Sequence, residues 1–215
     1  MKIRYLGHSC FLLEAKNGTR IVTDPYTGVG YEMPRVSADF VTCSHFHFDH
    51  NHVEKVAGAK EVIVSTGMRE RGGINISGLF SFHDEVGGEK RGENTVFLFE
   101  EGGVRVCHMG DIGEPLRASL IDRVKGVDVL LIPVGGVYTI DAAGALEYIQ
   151  AINPTVTIAM HYRPKGGTLN VATQSQAIAA LGNERCIEVG ASDLDTDDLQ
   201  KYKGKILFLE RNTNG

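Results

Sequence analysis

The sequence has few cysteines, and their spacing is not that of a disulfide framework or a thiolate metal site. The four cysteines are far apart along the 215 residues: Cys10, Cys43, Cys107 and Cys186. No two of them stand in a C-x-x-C arrangement, and three lie in strand-like apolar runs, where a cysteine usually behaves as a small hydrophobe. Their spacing therefore argues against a disulfide-stabilised scaffold and against metal binding by thiolates.

The sequence also lacks an excess of basic charge and a long hydrophobic run. Its 22 lysines and arginines stand against 27 acidic residues, for a formal net charge of -5. We therefore do not expect an extended nucleic acid as a partner. The N-terminus leads straight into a short strand pattern and not into a signal peptide or a membrane span. These features predict a cytoplasmic protein that has no membrane partner and acts on a small-molecule substrate.

The predicted strands and helices follow one another without a linker, a low-complexity segment or a short repeat, so we expect a single domain over residues 1–215. The first half consists mainly of strands, with Asn17-Gly18 as a hairpin turn. The second half alternates strands with helices predicted at residues 115–124, 142–152 and 171–181. A further short helix is predicted at residues 51–57. This order predicts an α/β fold in which helices cover two sheets.

One long polar segment, residues 84–94, is rich in glycine and charge. A loop of this length in a compact domain often belongs to a functional site, as a wall or a lid. The composition suits a mobile hairpin tip equally well. Both interpretations of the segment stay open at the level of the sequence.

The most informative stretch is His45-Phe46-His47-Phe48-Asp49-His50, which is spaced H-x-H-x-D-H and follows an apolar strand pattern. Residues two apart on an extended backbone point the same way, so His45 and His47 can converge on one ion. Asp49 and His50 diverge from that pair, which suits a second ion close by. Neutral imidazoles and carboxylates bind zinc, and also manganese or iron. The alternative is a solvated histidine-rich loop, but the spacing favours a metal site.

Three further candidate ligands each follow a predicted strand: His83, Asp111 and His161. Active sites of α/β folds collect where strands end and loops begin. Taken alone, each residue has a structural explanation, but their shared position favours one common site. His8, which follows a glycine, is predicted to be a hydrogen-bonded structural residue and not a ligand.

The order of these residues resembles the metallo-β-lactamase superfamily. The opening run Tyr5-Leu6-Gly7-His8-Ser9-Cys10-Phe11 and the hairpin that ends at Asp24-Pro25 are similar to its minimal single-domain hydrolases. Some of those relatives open sugar lactones, such as the ascorbate 6-phosphate lactonases. The resemblance covers almost the whole chain. It implies a four-layer αββα sandwich with a dinuclear metal site at one edge, and it leaves the substrate unspecified.

The resemblance also implies how two divalent ions are held, with zinc expected before manganese or iron. One ion would be bound by three imidazoles: His45, His47 and His83. The other would be bound by Asp49, His50 and His161, and Asp111 would bridge the two ions. His108 competes with His83 for the third imidazole. Members of the family place that ligand before the hairpin that leads to the bridging aspartate, which favours His83.

These ligands predict metal-assisted hydrolysis. Two ions about 3.5–4 Å apart would lower the pKa of a shared water to about 7, and the hydroxide would attack a carbonyl or phosphoryl centre. We expect a lactone or an ester as the substrate. Asp49 and Asp111 are the candidate catalytic residues: Asp49 would orient the water and relay its proton, and Asp111 would hold the ions at the required separation.

Arg163, Lys165 and Tyr138 are the candidate substrate contacts. The two cationic side chains closely follow the last candidate ligand and are donors suited to phosphate or carboxylate, unless they are solvated loop charges. Tyr138 lies on a glycine-bounded loop after a predicted strand. An anionic substrate is therefore expected. Three alternatives stay open: a phosphodiesterase that acts on nucleotides, an oxidoreductase similar to the mononuclear iron persulfide dioxygenases, and a non-catalytic metal-binding module.

Overall fold

The computed structural model describes residues 1–213, which form two large β-sheets, a two-stranded sheet and several helices. The strands are β1 (Lys2–Gly7), β2 (Cys10–Glu14), β3 (Arg20–Thr23), β4 (Val36–Ser37), β5 (Phe40–Thr42), β6 (Val56–Ala57), β7 (Glu61–Ile63), β8 (Gly67–Arg71), β9 (Ile74–Phe82), β10 (Glu93–Glu101), β11 (Val104–His108), β12 (Val129–Pro133), β13 (Val156–Met160), β14 (Cys186–Val189), β15 (Asp193–Asp195) and β16 (Ile206–Leu209). The α-helices are α1 (Ala118–Val124), α2 (Ala142–Ile152) and α3 (Gln174–Leu181), and 3₁₀ helices span Val53–Lys55, Asn183–Arg185 and Thr196–Tyr202.

The first large sheet has six strands in the order β15-β1-β2-β3-β5-β7. Strands β1, β2 and β3 pair antiparallel, whereas β3, β5 and β7 run parallel. The second large sheet has eight strands in the order β14-β16-β13-β12-β11-β10-β9-β8. Its hairpins β8 to β11 are antiparallel, and the strands from β11 to β14 in that order are parallel. Parallel strands need crossover connections. In the eight-stranded sheet these connections contain the α-helices, whereas the crossovers that join β3, β5 and β7 contain only short strands, irregular chain and one 3₁₀ turn.

The two large sheets pack face to face over the main hydrophobic core. Tyr5 and Phe11 of the first sheet meet Phe97 and Leu131 of the second in one buried cluster. All three α-helices pack on the outer face of the eight-stranded sheet. The outer face of the six-stranded sheet is covered mainly by irregular chain, whose buried side chains include Tyr26. The predicted α/β fold class, with two sheets as the inner layers, is confirmed.

The helix predicted at residues 51–57 is wrong. That segment forms one 3₁₀ turn, Val53–Lys55, and then the short strand β6, which pairs in parallel with β4. A helix of two turns gains little from backbone hydrogen bonds alone. The packing of Val53 and Val56 against the outer face of the six-stranded sheet outweighs that gain.

The three predicted long helices exist, although two begin later than predicted. The first starts at Ala118 and the third at Gln174, where Thr173 and Gln176 form a capping box. The helix Ala142–Ile152 has the predicted bounds, and the side chain of Asp141 accepts a hydrogen bond from the Gly144 amide at its start. No helix within residues 1–213 is both long and apolar enough to cross a membrane.

Several connections meet at one edge of the two sheets. The β1–β2 turn and the segments that follow β5, β9, β11 and β13 all end there. These are the segments that carry the chemically active side chains: His8, the motif 45–50, His83, Asp111 and His161. The fold therefore assembles residues that are up to 153 positions apart in sequence, counting from 8 to 161.

Candidate metal centre

Asp111 lies at the centre of the histidine cluster. Its Oδ2 atom is 3.0 Å from His161 Nε2 and 3.2 Å from His50 Nε2. The same oxygen is 3.5 Å from His83 Nε2 and 4.0 Å from His45 Nε2. One carboxylate oxygen thus faces two histidines of each predicted ligand set, which is the position that a bridging carboxylate would occupy.

The side chains around Asp111 fall into two main groups, and a third set, Asp24, His45 and His50, meets the same distance criterion and links them. In each group, the candidate ligand atoms all lie within 4.8 Å of one another. The first group contains His45, His47 and His83. The second group contains His8, Asp49, His50 and His161. The structure therefore brings all seven predicted ligands together and adds His8 to them.

Four buried polar atoms of the cluster have no hydrogen-bond partner within residues 1–213. They are His45 Nε2, His83 Nδ1, Asp111 Oδ1 and His161 Nδ1. Burying such an atom without a partner costs free energy, and native proteins rarely tolerate it unless an ion or a water fills the gap. Imidazole nitrogens gathered around a carboxylate are a donor set that suits a divalent cation. The residues present therefore fit the metal that the sequence predicts.

Neighbouring groups orient the imidazoles toward the centre. His50 Nδ1 donates to Asp24 Oδ2 at 2.8 Å, so its Nε2 is the nitrogen left to face Asp111. The Ser44 hydroxyl donates to Asp24 Oδ2 at 2.5 Å, so its oxygen accepts from His45 Nδ1 at 2.9 Å. Asp24 thereby sets the tautomer of His50 directly and that of His45 through Ser44. Sequence reasoning missed this role of Asp24, although the residue ends a strand at the same edge.

A glycine and an asparagine position Asp111. Gly110 has φ +56°, and a Cβ atom there would lie 2.3 Å from Asn94 Oδ1 and 2.6 Å from Ser44 Cβ. Asn94 Oδ1 in turn accepts a hydrogen bond of 2.9 Å from the Asp111 amide, and its Nδ2 donates to the Met109 carbonyl. The Gly-Asp pair is therefore required because a side chain at residue 110 would collide with the groups that hold Asp111.

The backbone is strained around the cluster. Within residues 1–213, five residues other than glycine have positive φ: His8, Asp24, Val137, Asn153 and His161. Asn153 ends α2, where a left-handed residue is common. His8, Asp24 and His161 belong to the cluster or orient it, and the His161 amide donates to the His8 carbonyl at 3.1 Å. Such strain persists only where the surrounding structure imposes it, and it concentrates at functional sites.

His8 makes the hydrogen bonds expected of it, but its partners are the candidate ligands themselves. Its Nε2 is 3.2 Å from Asp49 Oδ2 and 3.2 Å from His50 Nε2, and its ring centroid is 4.5 Å from that of His161. The side chain is buried. The signal in the sequence was the Gly7-His8 break between two apolar strands, which places the imidazole at the same edge as the motif.

His108 lies outside the cluster. Its Nε2 is 2.7 Å from the Ser9 carbonyl, and its Nδ1 accepts a hydrogen bond from the Gly110 amide. Both ring nitrogens therefore bind backbone groups. His83, whose Nε2 is near Asp111, is the better placed of the two candidates for the third imidazole.

The cluster lowers the pKa of Asp111, Asp49, His8, His45 and His83, but it raises the pKa of His50, because the effect of burial on that ring is outweighed by the facing carboxylates of Asp111 and Asp24. Burial opposes ionisation of Asp111, but the nearby His161 and His50 hold its pKa well below the usual range. Burial also opposes ionisation of Asp49, yet the hydrogen bond from His8 and the charge of His50 lower its pKa. Burial, with a contribution from His161, lowers the pKa of His8 to about 4. Ionised carboxylates and neutral imidazoles are the forms that bind metal ions.

A cavity of about 470 Å³ opens in front of the cluster. Its lining combines candidate ligands with aromatic and cationic side chains: Phe46, His47, Phe48, Asp49, His83, Arg91, Asp111, Tyr138, His161 and Leu169. The predicted contact Tyr138 is among them. Arg91, from the glycine-rich segment 84–94, is a cation that sequence reasoning did not single out. Segment 84–94 therefore supplies part of the wall of the site.

The structure does not bring Arg163 and Lys165 to this cavity. After His161 the chain turns away: the Arg163 amide donates to the Ala172 carbonyl, and Pro164 begins a tight turn that closes at Gly167. Arg163 lines a cavity beside the start of α3, and Lys165 lines another with Tyr31 and Arg211. Proximity in sequence to the last candidate ligand therefore does not place either side chain on this cavity.

Comparison with known proteins identifies close relatives of the whole arrangement. A model of the β-lactamase superfamily domain matches residues 2–161. A UPF0173 protein of Pyrococcus furiosus is 30% identical over an alignment of 229 positions, which covers 95% of this chain and 99% of the relative. A UPF0173 metal-dependent hydrolase of Nanoarchaeum equitans is 30% identical over 187 residues, with coverages of 75% and 84%.

Among solved structures, a candidate zinc-dependent hydrolase of the metallo-β-lactamase superfamily from Thermotoga maritima is 35% identical to the chain. The two structures agree with a TM-score of 0.77 over 97% of this chain and 98% of the other. The segment matched by the family model ends at His161, so it contains every candidate ligand. The chain belongs to the metallo-β-lactamase superfamily and is a metal-dependent hydrolase.

Proposed function

We propose that this hydrolase holds two divalent ions, zinc in preference to manganese or iron, and cleaves a lactone or an ester of a small anionic substrate. The observation that carries the proposal is the position of Asp111 Oδ2, within 4.0 Å of two histidines from each group. Four imidazoles and a shared carboxylate suit zinc better than harder cations. The cavity of about 470 Å³ in front of the groups leaves room for a small substrate.

Bound ions of this kind lower the pKa of a water and polarise a carbonyl oxygen. The chain supplies the proton transfer. Asp49 lines the cavity, and its side chain is 13% exposed against 3% for Asp111, so it is the more accessible of the two carboxylates. Its Oδ2 also accepts from His8, which fixes its orientation. We assign to Asp49 the proton of the attacking water, which it passes to the departing oxygen.

The first experiment is elemental analysis of the purified protein combined with a screen of lactones, esters, thioesters and phosphodiesters. We expect close to two equivalents of metal and turnover of lactones or esters. Preferred cleavage of nucleotides would favour the phosphodiesterase alternative. One tightly held iron together with persulfide-dependent oxygen uptake would contradict the hydrolytic proposal and favour the oxidoreductase.

A further inference from the structure

The cavity in front of the metal centre has an apolar mouth that metal binding does not require. Phe46 and Phe48 are 71% and 60% exposed, although aromatic side chains of this size are usually buried. They stand between the candidate ligands of the motif, and they line the same cavity as His47 and Asp49. Soluble proteins expose clustered apolar groups mainly where they bind something.

A cation stands in the wall of the same cavity. The Arg91 amide donates to Asp84 Oδ2 at 2.7 Å, which fixes the backbone at this point. Its guanidinium donates to the Val137 carbonyl at 3.1 Å and lies 5.8 Å from the ring centroid of Tyr138. The nearby acid Glu85 pairs with Lys90, whose hydrogen bond lowers the pKa of Glu85, and the charge of Arg91 contributes less to that shift. Because arginine has five N–H donors, the side chain retains donors for an anionic ligand.

Apolar rings and a positioned cation on one cavity specify the kind of molecule that fits it. A sugar phosphate would leave Phe46 and Phe48 in water, and a plain hydrocarbon ester would leave Arg91 without an anion. The volume of about 470 Å³ is in the range of small-molecule sites. The occupant must also reach His47 and Asp49, which line the same space. That requirement favours a small molecule over a second protein as the occupant.

We propose that the substrate is an amphipathic anionic ester or lactone, whose carboxylate or phosphate binds Arg91 and whose aryl or branched alkyl group packs on Phe46 and Phe48. This inference rests on the proposed function and adds the substrate class. Hydrolysis consumes one water: its oxygen bonds to the carbonyl carbon, the bond to the alcohol oxygen breaks, and the alcohol leaves with a proton.

The test uses the metal-loaded protein and four esters of succinic acid. They are the benzyl and methyl esters, each with the second carboxyl group either free or converted to the amide. Benzyl alcohol and methanol are leaving groups of similar acidity, so differences between the esters report recognition. We expect kcat/KM to be highest for the benzyl ester with the free carboxylate. Replacing the benzyl group by methyl should lower kcat/KM about 10-fold or more, and so should replacing the free carboxylate by the amide.

Two variants separate the two parts of the recognition. Arg91→Gln should abolish the preference for the free carboxylate and keep the preference for benzyl. The double variant Phe46→Ser, Phe48→Ser should abolish the preference for benzyl and keep the preference for the free carboxylate. The matched controls are Arg123→Gln on α1 and Met68→Ser on β8, which exchange exposed residues of the same kinds outside the cavity and should keep both preferences.

Binding is measured separately from hydrolysis, by calorimetric titration of the metal-loaded proteins with benzylsuccinate and methylsuccinate. If benzylsuccinate binds in an Arg91-dependent and phenylalanine-dependent way but no ester is cleaved, the ligand class stands and the hydrolytic proposal fails. If the esters are cleaved without preference, hydrolysis stands and the ligand class is overturned. If the protein neither binds benzylsuccinate nor cleaves any of the esters, both the ligand class and the hydrolytic proposal are overturned. A change of oligomeric state in the serine variant, with unchanged kinetics, would make the apolar mouth a protein interface and also overturn the inference.

Discussion

The two groups of the metal centre differ in exposure and in charge. The open half consists of three imidazoles, of which His47 is exposed and His45 and His83 are buried. The buried half consists of His8, Asp49, His50 and His161, and it carries a carboxylate of its own. A negatively charged ligand set in a buried position attracts a cation more strongly than a neutral set at the surface. We therefore expect the buried half to bind its ion more tightly.

The supporting structure differs in the same direction. In the buried half, Asp24 holds His50 at 2.8 Å, and the backbones of His8 and His161 are strained and hydrogen-bonded to each other. In the open half, His45 is held by Ser44, whereas the ring of His47 stands at the cavity. Groups that hold ligands in place raise metal affinity. We therefore expect the ion of the buried half to stay bound permanently and the ion of the open half, near the substrate, to exchange.

The largest effect is expected from Asp111→Ala, because this carboxylate is common to both halves. Its removal should lower the metal content of both and reduce kcat/KM by about 10³-fold or more, since the ions supply several kcal/mol of transition-state stabilisation. The measurements are elemental analysis and steady-state kinetics, with the exposed Asp122→Ala as the matched control. Two retained metals and a full hydrolytic rate would show that Asp111 does not bridge.

The second effect concerns the buried half alone. His8→Asn keeps a residue that tolerates positive φ and removes the imidazole from Asp49 and His50. We expect the affinity of the tighter ion to fall about 100-fold and that of the weaker ion to stay unchanged. Competition titrations with a chelator resolve the two affinities without any assay of turnover. If the variant lowers the affinity of both ions equally, or of neither ion, His8 does not belong to the buried half.

His8 also shows where sequence reasoning stops. The H-x-H-x-D-H spacing is local, so it predicted that His45 and His47 would converge before any fold was known. The positions of His83, Asp111 and His161 followed from strand ends, and the structure places all three in the cluster. For His8, the deciding fact is the 3.2 Å distance to Asp49, across 41 residues of chain. A histidine after Gly7 could be a structural turn residue or a metal ligand, and only the tertiary structure distinguishes these two roles.

The errors have the same physical origin. The segment 51–57 was predicted to be a helix, but the pairing of β6 with β4 determines its structure. No periodicity within the segment encodes that contact. Arg163 was predicted as a substrate contact because it follows His161 closely, but the chain reverses toward Ala172. Arg91 lies in a glycine-rich segment without periodicity, and the hydrogen bonds of Asp84 bring it to the cavity. Local pattern thus predicted the elements and the motif, whereas long-range contacts decided the walls of the site.

The third effect tests the open half. His47→Ala removes an exposed ligand whose place a water can take, so the loss should be smaller than in the buried half. We expect the affinity of the weaker ion to fall about 10-fold, at the lower end of the range for weakened metal sites. The tighter ion should remain at one equivalent after dialysis. If His47→Ala instead releases the tighter ion, the assignment of the stronger site to the buried half is wrong.

The smallest effect is expected outside both halves, in the loop that carries Arg91. The buried Asp84 carboxylate accepts backbone hydrogen bonds from Val86, Gly88, Lys90 and Arg91 at 2.7–3.0 Å. Burial alone would raise its pKa, but these hydrogen bonds lower it to about 2. Because the folded value lies below the unfolded value of about 3.9, the carboxylate stabilises the loop fully above that pH and loses this contribution as the pH falls through 2.

In Asp84→Asn the amide nitrogen cannot accept, so two of the four backbone donors lose their partner at every pH. We expect faster hydrogen exchange of the loop amides in the variant, a KM for anionic esters that is raised a few-fold, and an unchanged metal content. The wild-type loop should stay protected from exchange at pH 5 and lose protection progressively between about pH 4 and pH 2. Unchanged exchange in the variant would show that Asp84 does not order the loop. Loss of metal from either half would mean that the loop supports the metal centre as well as the substrate, because Asp84 directly follows His83.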